Sequence, residues 1–214
     1  MKTLVLSGYD DNMASVGDRC TRTHGDYARR NGFYHEVVRK YLPGTHPSYQ
    51  KILLIAERIP LYDCILWLDA DSVVTNPDAF RPGSVVGACM EISIDWCAPV
   101  PDDLRTLYVS CGNFVFYNTD ASTRFLETWD RYSQPYSTSR HGCWEQDGLQ
   151  AAMRSSEWFN RQVFRRPRKT LNSVHRTCVN GNFPSSAPMP WEPGDFLLHL
   201  TNVDRNAILT SMGL

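Results

Sequence analysis

The chain has 214 residues, a formal net charge of −1, 42% hydrophobic and 21% charged residues, and seven cysteines. That length suits one domain with a substantial core rather than two, and near-neutrality leaves no field to gather nucleic acid or an anionic membrane. An odd count of cysteines without a C-x-x-C pair argues against a zinc ribbon, a thioredoxin-like site and a complete disulfide framework.

The opening "MKTLVLSGYD" carries an apolar run too short for a signal peptide and reads as a first strand closed by Gly8, Asp10 and Asp11. From Asp18 to Asn31 the pattern predicts a helix, then a turn at Asn31-Gly32 and a second strand within "NGFYHEVVRKY". "HPSYQKILLIAERIP" places Ile52, Ile55, Ala56 and Ile59 on one helical face ending at Pro60, and Ile65–Leu68 is a third strand. This β-α-β-α-β alternation implies parallel strands with helices on both faces.

After Pro77, "GSVVGACME" and "CGNFVFYN" suit strands, and "TDASTRFLETWDRYS" suits a helix capped by Thr119 or Asp120. "SQPYSTSRHGC" is rich in turn formers and predicts a mobile loop. "WEQDGLQAAMRSS" is a helix with acidic residues in its first turn, which suits the macrodipole. Asn160–Pro193, with five prolines, is expected to be mostly irregular, and "GDFLLHLTN" closes the domain as a final strand. The expectation is a single α/β domain over 1–214. No run of about 18 apolar residues is present to span a membrane, and a cytoplasmic, reducing setting is expected.

The stretch "CILWLDADSVVTNP" drives an apolar strand into Asp69 and Asp71. In extended chain, residues i and i+2 point to one side, so two carboxylates repel unless a cation, a donor cluster or a shared proton offsets them. One aspartate there would be an ordinary turn cap; the pair favours metal binding. Hard cations take carboxylate and phosphate oxygens, and Mn²⁺ also accepts an imidazole. His199, interrupting "FLLHLTN", is the candidate third ligand, against the alternative of a core histidine. His24, His35, His46, His141 and His175 are scattered and are assigned no metal. Trp96, Trp144, Trp158 and Trp191 are read as packing rather than sugar platforms, and Cys111 as a packing thiol.

Further segments fall in an order that resembles one family of retaining glycosyltransferases with the GT-A fold. They are "HGDYARRNGFYHEVV", "YQKILLIAERIPLYDCILWLDADSVVTNP", "SCGNFVFYNTD", "WEQDGLQ", "RPRKTLNSV" and "WEPGDFLLHLTN". The family contains the fungal α-galactosyl- and α-mannosyltransferases and the plant xyloglucan α-xylosyltransferases. The resemblance implies a Rossmann-like, mixed but mainly parallel sheet, with residues 1–118 as the nucleotide-binding half and 119–214 as the acceptor side. It implies Asp69, Asp71 and His199 as ligands of Mn²⁺, with Mg²⁺ as the alternative. The implied reaction moves a hexose or pentose from a nucleotide-sugar, a UDP-sugar in particular, to a hydroxyl of a carbohydrate, glycoprotein or small molecule.

It further implies that Ser7, Gly8 and Tyr9 face the nucleoside and that Asp69, Ala70 and Asp71 face the donor. Lys51 contacts the donor phosphate or sugar, or else is an exposed helix lysine. Gly112 and Asn113 floor the pocket, and Glu145, Gln146 and Asp147 supply the sugar-binding acid and the residue on the β-face. Retention then proceeds by double displacement on Asp147 or Glu145, or by front-face attack with Gln146 stabilising an oxocarbenium ion, the favoured route. The family's W-x-K is here Tyr49-Gln50-Lys51, the arginine of its x-R-N strand end is Tyr117, and the diphosphate-holding lysine after the metal histidine has Arg205 as its counterpart. Two other readings compete: a haloacid-dehalogenase-like phosphatase with Asp69 as nucleophile and Mg²⁺, and a non-catalytic nucleotide-sugar-binding relic.

Overall fold

The computed structural model describes residues 1–39, 44–83, 85–95, 97–98, 100, 102–138, 143–178 and 190–214. Strand β1 (Thr3–Gly8) leads into helix α1 (Ala14–Asn31), which buries Val16, Cys20, His24, Tyr27 and Ala28 on one helical stripe. α1 begins four residues before the predicted Asp18, because Asp10 caps a short 3₁₀ turn that runs straight into it. It ends where expected, at Gly32, whose φ of 69° is the left-handed conformation that closes a helix. After β2 (Tyr34–Val38), α2 (Pro47–Arg58) starts with His46 accepting from the Ser48 amide and Pro47 in the first turn.

Strand β3 (Cys64–Leu68) is buried throughout, and β4 (Ser72–Val74) follows after one turn. Next come β5 (Met90–Ile94), β6 (Val109–Tyr117), α3 (Ser122–Ser133), α4 (Trp144–Ser155), α5 (Glu157–Arg161) and β7 (Val163–Arg166). The described chain closes with β8 (Leu197–His199) and α6 (Arg205–Ser211).

The main sheet has the order β2-β1-β3-β6-β5-β7, in which β6 alone runs against the others. Alternation along the central strands sorts the core into two layers. Leu4, Leu6, Ile65, Trp67, Phe114 and Phe116 face α2, α3, α4 and α5, while Val5, Leu66, Leu68, Val115 and Tyr117 face α1 and the β8 segment. The predicted α/β domain with a mixed, mainly parallel sheet is the observed one.

Four features depart from the sequence reading. The segment expected to be irregular contains β7, an edge strand whose "VFRR" buries only Val163 and whose place is set by backbone pairing with β5. The closing strand β8 does not join the main sheet; it pairs antiparallel with the unanticipated β4, and the unanticipated α6 follows it. Strand β5 starts at Met90, after a turn at Gly87 with φ 76°, rather than at Gly83. Helix α3 has Ala121 at its cap, because Thr119 and Asp120 lie in the preceding turn, where the Thr119 amide donates to Ser122 Oγ. Residues 139–142 of the predicted loop, with His141, lie outside the described residues, as do Trp96 and residues 179–189. No helix among the described residues is long and apolar enough to cross a membrane, and all seven thiols are free.

Helix α4 reaches the sheet edge because Gly148 lets it lie against α3: a Cβ there would stand 2.6 Å from Ser133 Cα. Gly148→Ala is expected to destabilise the fold by about 1–3 kcal/mol through overpacking. Thermal unfolding followed by circular dichroism should show a Tm lower by several degrees; an unchanged Tm would mean the two helices separate without cost.

Candidate active site and metal centre

Strand β1 ends at Gly8 and β3 at Leu68, so Tyr9 and Asp69 emerge side by side at the carboxyl edge of the sheet, where strand order reverses around β1. The chain then leaves the main sheet. Ser72 N donates to Asp69 O (2.9 Å), and β4 turns away to pair with β8. That pairing sets Ser72 opposite His199, and Leu200 N donates to Asp71 O (2.8 Å). One ligand atom from each of Asp69, Asp71 and His199 therefore fits within a 4.8 Å span.

Each of the three is held by its own partners. Asp69 Oδ1 accepts from Trp67 Nε1 (2.7 Å) and Lys51 Nζ (3.1 Å), and among the described residues its Oδ2 has no hydrogen-bond partner. Asp71 Oδ2 accepts from Arg205 Nε (3.0 Å) and Nη2 (2.9 Å). His199 donates from Nδ1 to Asn172 Oδ1 (3.0 Å), which leaves Nε2 pointing at Asp71 Oδ1 across 3.3 Å. Orienting the ring through its second nitrogen is how metal-binding histidines are commonly fixed.

A lone pair and a carboxylate oxygen that close need a cation or a proton between them. Burial works against the imidazolium, but Asp71 outweighs it and raises the His199 pKa. Burial likewise works against the Asp71 carboxylate, and His199 and Arg205 together hold it well below the usual range. Two carboxylates and an imidazole suit Mn²⁺, so the donor set fits the ion.

Gly112 makes the cluster sterically feasible. A Cβ there would meet His199 Cε1 at 2.6 Å and Asp69 Oδ2 at 3.3 Å.

Lys51 is neither exposed nor free to reach a ligand. It is 1% exposed, and its three protons go to Asp69 Oδ1, Cys111 O (2.8 Å) and Glu145 Oε1 (2.6 Å). Burial opposes its charge, yet Asp69 and Glu145 raise its pKa. Glu145 is pushed up to about 7 by burial, against the pull of Lys51, and its Oε2 has no partner among the described residues. Gln146 is fixed at both ends: Oε1 accepts from Cys111 N and Nε2 donates to Asp95 Oδ2, each at 2.9 Å.

Gly8, Tyr9, Lys51, Asp69, Ala70, Asp71, Gly112, Glu145, Gln146 and His199 all line one cavity of about 690 Å³. Three other predicted residues are engaged elsewhere. Ser7 Oγ is buried against His24 Nδ1 (2.8 Å), Asn113 is fully buried with Oδ1 toward the Asp69 amide (3.3 Å), and Asp147 accepts from Cys143 N at the start of its own helix (2.8 Å).

Sequence reading passed over several cavity residues. Asp95 follows the buried strand "MEISI" as Asp69 follows "ILWL", so the same strand-end logic points to it. His46, assigned no metal, stacks on Trp144 at 3.7 Å and 7° in the cavity wall. Asn172, within the segment "RPRKTLNSV", lies behind the cavity wall, 27 residues from the histidine it orients, and has no role of its own in the sequence reading.

No protein-family model and no curated protein matches this chain. Among solved structures it is similar to a glycosyltransferase involved in glycosylation of the major capsid of PBCV-1. That match has a TM-score of 0.68 and 15% identity, and covers 100% of this chain and 99% of that one. It is also similar to Drosophila β1,4-galactosyltransferase 7 in complex with manganese, UDP-Gal and xylobiose (TM-score 0.53, 12% identity, 94% of this chain and 72% of that one). A third match is the galactosyltransferase LgtC with donor and acceptor sugar analogues (TM-score 0.53, 12% identity, 93% and 87%). The fold is that of the GT-A-type glycosyltransferases.

Two expectations follow from the geometry. Gly112→Ala should weaken Mn²⁺ binding about tenfold or more by pushing His199 aside, read by calorimetric titration; wild-type affinity would show that the ring is not crowded there. Lys51→Met should leave Glu145 and Asp69 without their shared cation and cost about 3–5 kcal/mol. A carboxyl whose pKa is raised by folding stabilises most below its unfolded value and loses that contribution as pH rises through the folded value. The raised Glu145 therefore makes the Lys51→Met loss larger at pH 8 than at pH 5, in urea unfolding with EDTA; equal losses would contradict this.

Proposed function

We propose that this chain is a metal-dependent glycosyltransferase of the retaining kind that its motifs resemble. It moves a hexose or pentose from a nucleotide-sugar, a UDP-sugar by preference, to an acceptor hydroxyl on a carbohydrate, glycoprotein or small molecule. The observation that carries this reading is the convergence of Asp69, Asp71 and His199 in the wall of a cavity at the carboxyl edge of the sheet. The neighbours with UDP-Gal and manganese, or with donor and acceptor analogues, support it through their shared fold.

Asp69 and Asp71 hold the divalent cation through carboxylate oxygens and His199 through Nε2, with Mn²⁺ the preferred ion and Mg²⁺ the alternative. When bound, the cation supplies Lewis-acid neutralisation of the leaving diphosphate. The residues up to 118 bind the nucleotide, with Gly8 and Tyr9 beside it, and the later half forms the acceptor side. Arg205 adds a positive group for the diphosphate, and Asn172 keeps Nε2 of His199 turned inward.

Gln146 lies in the cavity wall as an amide, held by Cys111 N and Asp95, and cannot form a stable glycosyl ester. Glu145 is tied to Lys51 and Asp147 to its own helix start. These engagements favour front-face attack, in which the departing diphosphate takes the acceptor proton and Gln146 faces the sugar without trapping it.

The phosphatase reading expects the Asp-x-Asp motif on the first strand and a late acidic cluster. Here the motif follows the third strand and the late residue is an imidazole.

The test is hydrolysis of a panel of UDP- and GDP-sugars with Mn²⁺ and with EDTA, for the wild type and His199→Ala. The expected outcome is turnover of one donor that requires Mn²⁺ and drops at least a hundredfold in the variant. Mg²⁺-dependent phosphate release from phosphomonoesters, with no donor turned over, would favour the phosphatase. Donor binding without turnover, acceptors included, would leave the relic.

A further inference from the structure

One side chain ties the last described helix to the first. Arg19, on α1, donates from Nε to the Leu214 carbonyl oxygen (2.9 Å), from Nη2 to that oxygen and to Thr210 Oγ1 (3.1 Å), and from Nη1 to Asn206 Oδ1 (3.2 Å). Beneath these bonds an apolar cluster containing Val16, Cys20, Val73, Leu198 and Leu209 joins α1, β4, β8 and α6. Helix α6 is therefore seated on the layer that carries Asp71 and His199. The turn leading into it holds Asn202 at φ 53°, a left-handed conformation that asparagine tolerates and that its surroundings must maintain.

The first residue of α6 is Arg205, and two of its nitrogens are spent on Asp71 Oδ2. A guanidinium on a carboxylate repels a divalent cation approaching that same carboxylate. We infer that α6 carries a built-in competitor: Arg205, held in place by Arg19, occupies Asp71 as its counter-charge and lowers the affinity of the site for a divalent cation alone. Arg19 is a positioning residue in this scheme, since it touches neither Asp71 nor the cavity.

The inference rests on the metal site proposed above and adds an order of binding to it. The Arg205 side chain is 35% exposed and lines the cavity, against 13% exposure for Asp71. A diphosphate arriving in the cavity offers Arg205 a replacement anion and releases Asp71 to the cation. The species the site takes up best is then the cation together with a nucleoside diphosphate.

The test is titration of free Mn²⁺ by electron paramagnetic resonance. The proteins are the full chain as wild type, Arg205→Gln, Arg19→Ala and the double variant, each with and without saturating UDP. Mn²⁺ alone is expected to bind about 3- to 10-fold tighter to either single variant, with no further gain in the double variant because Arg19 acts through Arg205. UDP should tighten Mn²⁺ binding in the wild type and do so less in Arg205→Gln.

Arg205→Gln leaves the Arg19 contacts intact, so it decides the matter even if Arg19→Ala loosens α6. A purely structural Arg19 would lower Tm and weaken Mn²⁺ binding equally with or without Arg205, and that result overturns its role. Unchanged or weaker Mn²⁺ binding in Arg205→Gln overturns the competition itself, as does a failure of all four proteins to bind Mn²⁺. Tighter metal binding in the variants without any effect of UDP supports the competition and counts against the nucleotide reading.

Discussion

Lys51 carries a positive charge into a place with almost no water, and acceptors from three elements converge on it: Asp69 beyond β3, the Cys111 carbonyl on β6, and Glu145 on α4. Each acceptor uses one of the three protons, so the ammonium is saturated. Its work is architectural. Breaking such a buried pairing strands uncompensated charge, which costs more than the pair contributes when intact. The sheet edge, the turn bearing the Asp-x-Asp pair and the start of α4 are thereby locked into one relation, and Gln146, one residue after Glu145, inherits its position from that lock.

The Asp69–Asp71–His199 cluster straddles two sheets. Asp69 belongs to the end of the main sheet, while Asp71 and His199 are fixed by the small antiparallel pair β4–β8. Closeness across the junction depends on Gly112, where a missing Cβ leaves room for the imidazole. The indole N–H of Trp67 reaches Asp69 because both side chains leave the strand on the same side. An aromatic two residues before the first aspartate is in this chain a hydrogen-bond donor to it.

Much of this was legible in the sequence where the signal is local. The run Ile65-Leu66-Trp67-Leu68 announces a strand buried on both faces, and Asp69 and Asp71 at its end announce a charge to be offset. Acidic residues opening "WEQDGLQ" announce a helix start, and Gly32 announces a helix end. What stayed hidden depends on distant partners or on backbone alone. "VFRR" has no apolar alternation, and β7 exists through its ladder with β5. "SVV" and "LLH" are too short to reveal that they pair with each other. Lys51 lies on a helix where a lysine reads as solvated, and only the two carboxylates brought to it by the fold make burial tolerable. Asp147, in an acidic run read as chemistry, receives the Cys143 amide instead.

The β4–β8 pair has a consequence for the order in which the molecule assembles. Its register joins Ser72 to His199 across roughly 125 residues of chain, among the longest closures in the fold. The β1–β2 and β1–β3 pairings need far shorter loops and involve the first half of the chain alone. Contacts between residues so far apart in sequence form late. On a ribosome, a chain could build its first three strands and display both aspartates while the histidine was still unmade. The Asp69–Asp71–His199 constellation is thus a property of the finished molecule rather than of its early half, and a chain halted midway would expose two carboxylates without their imidazole neighbour.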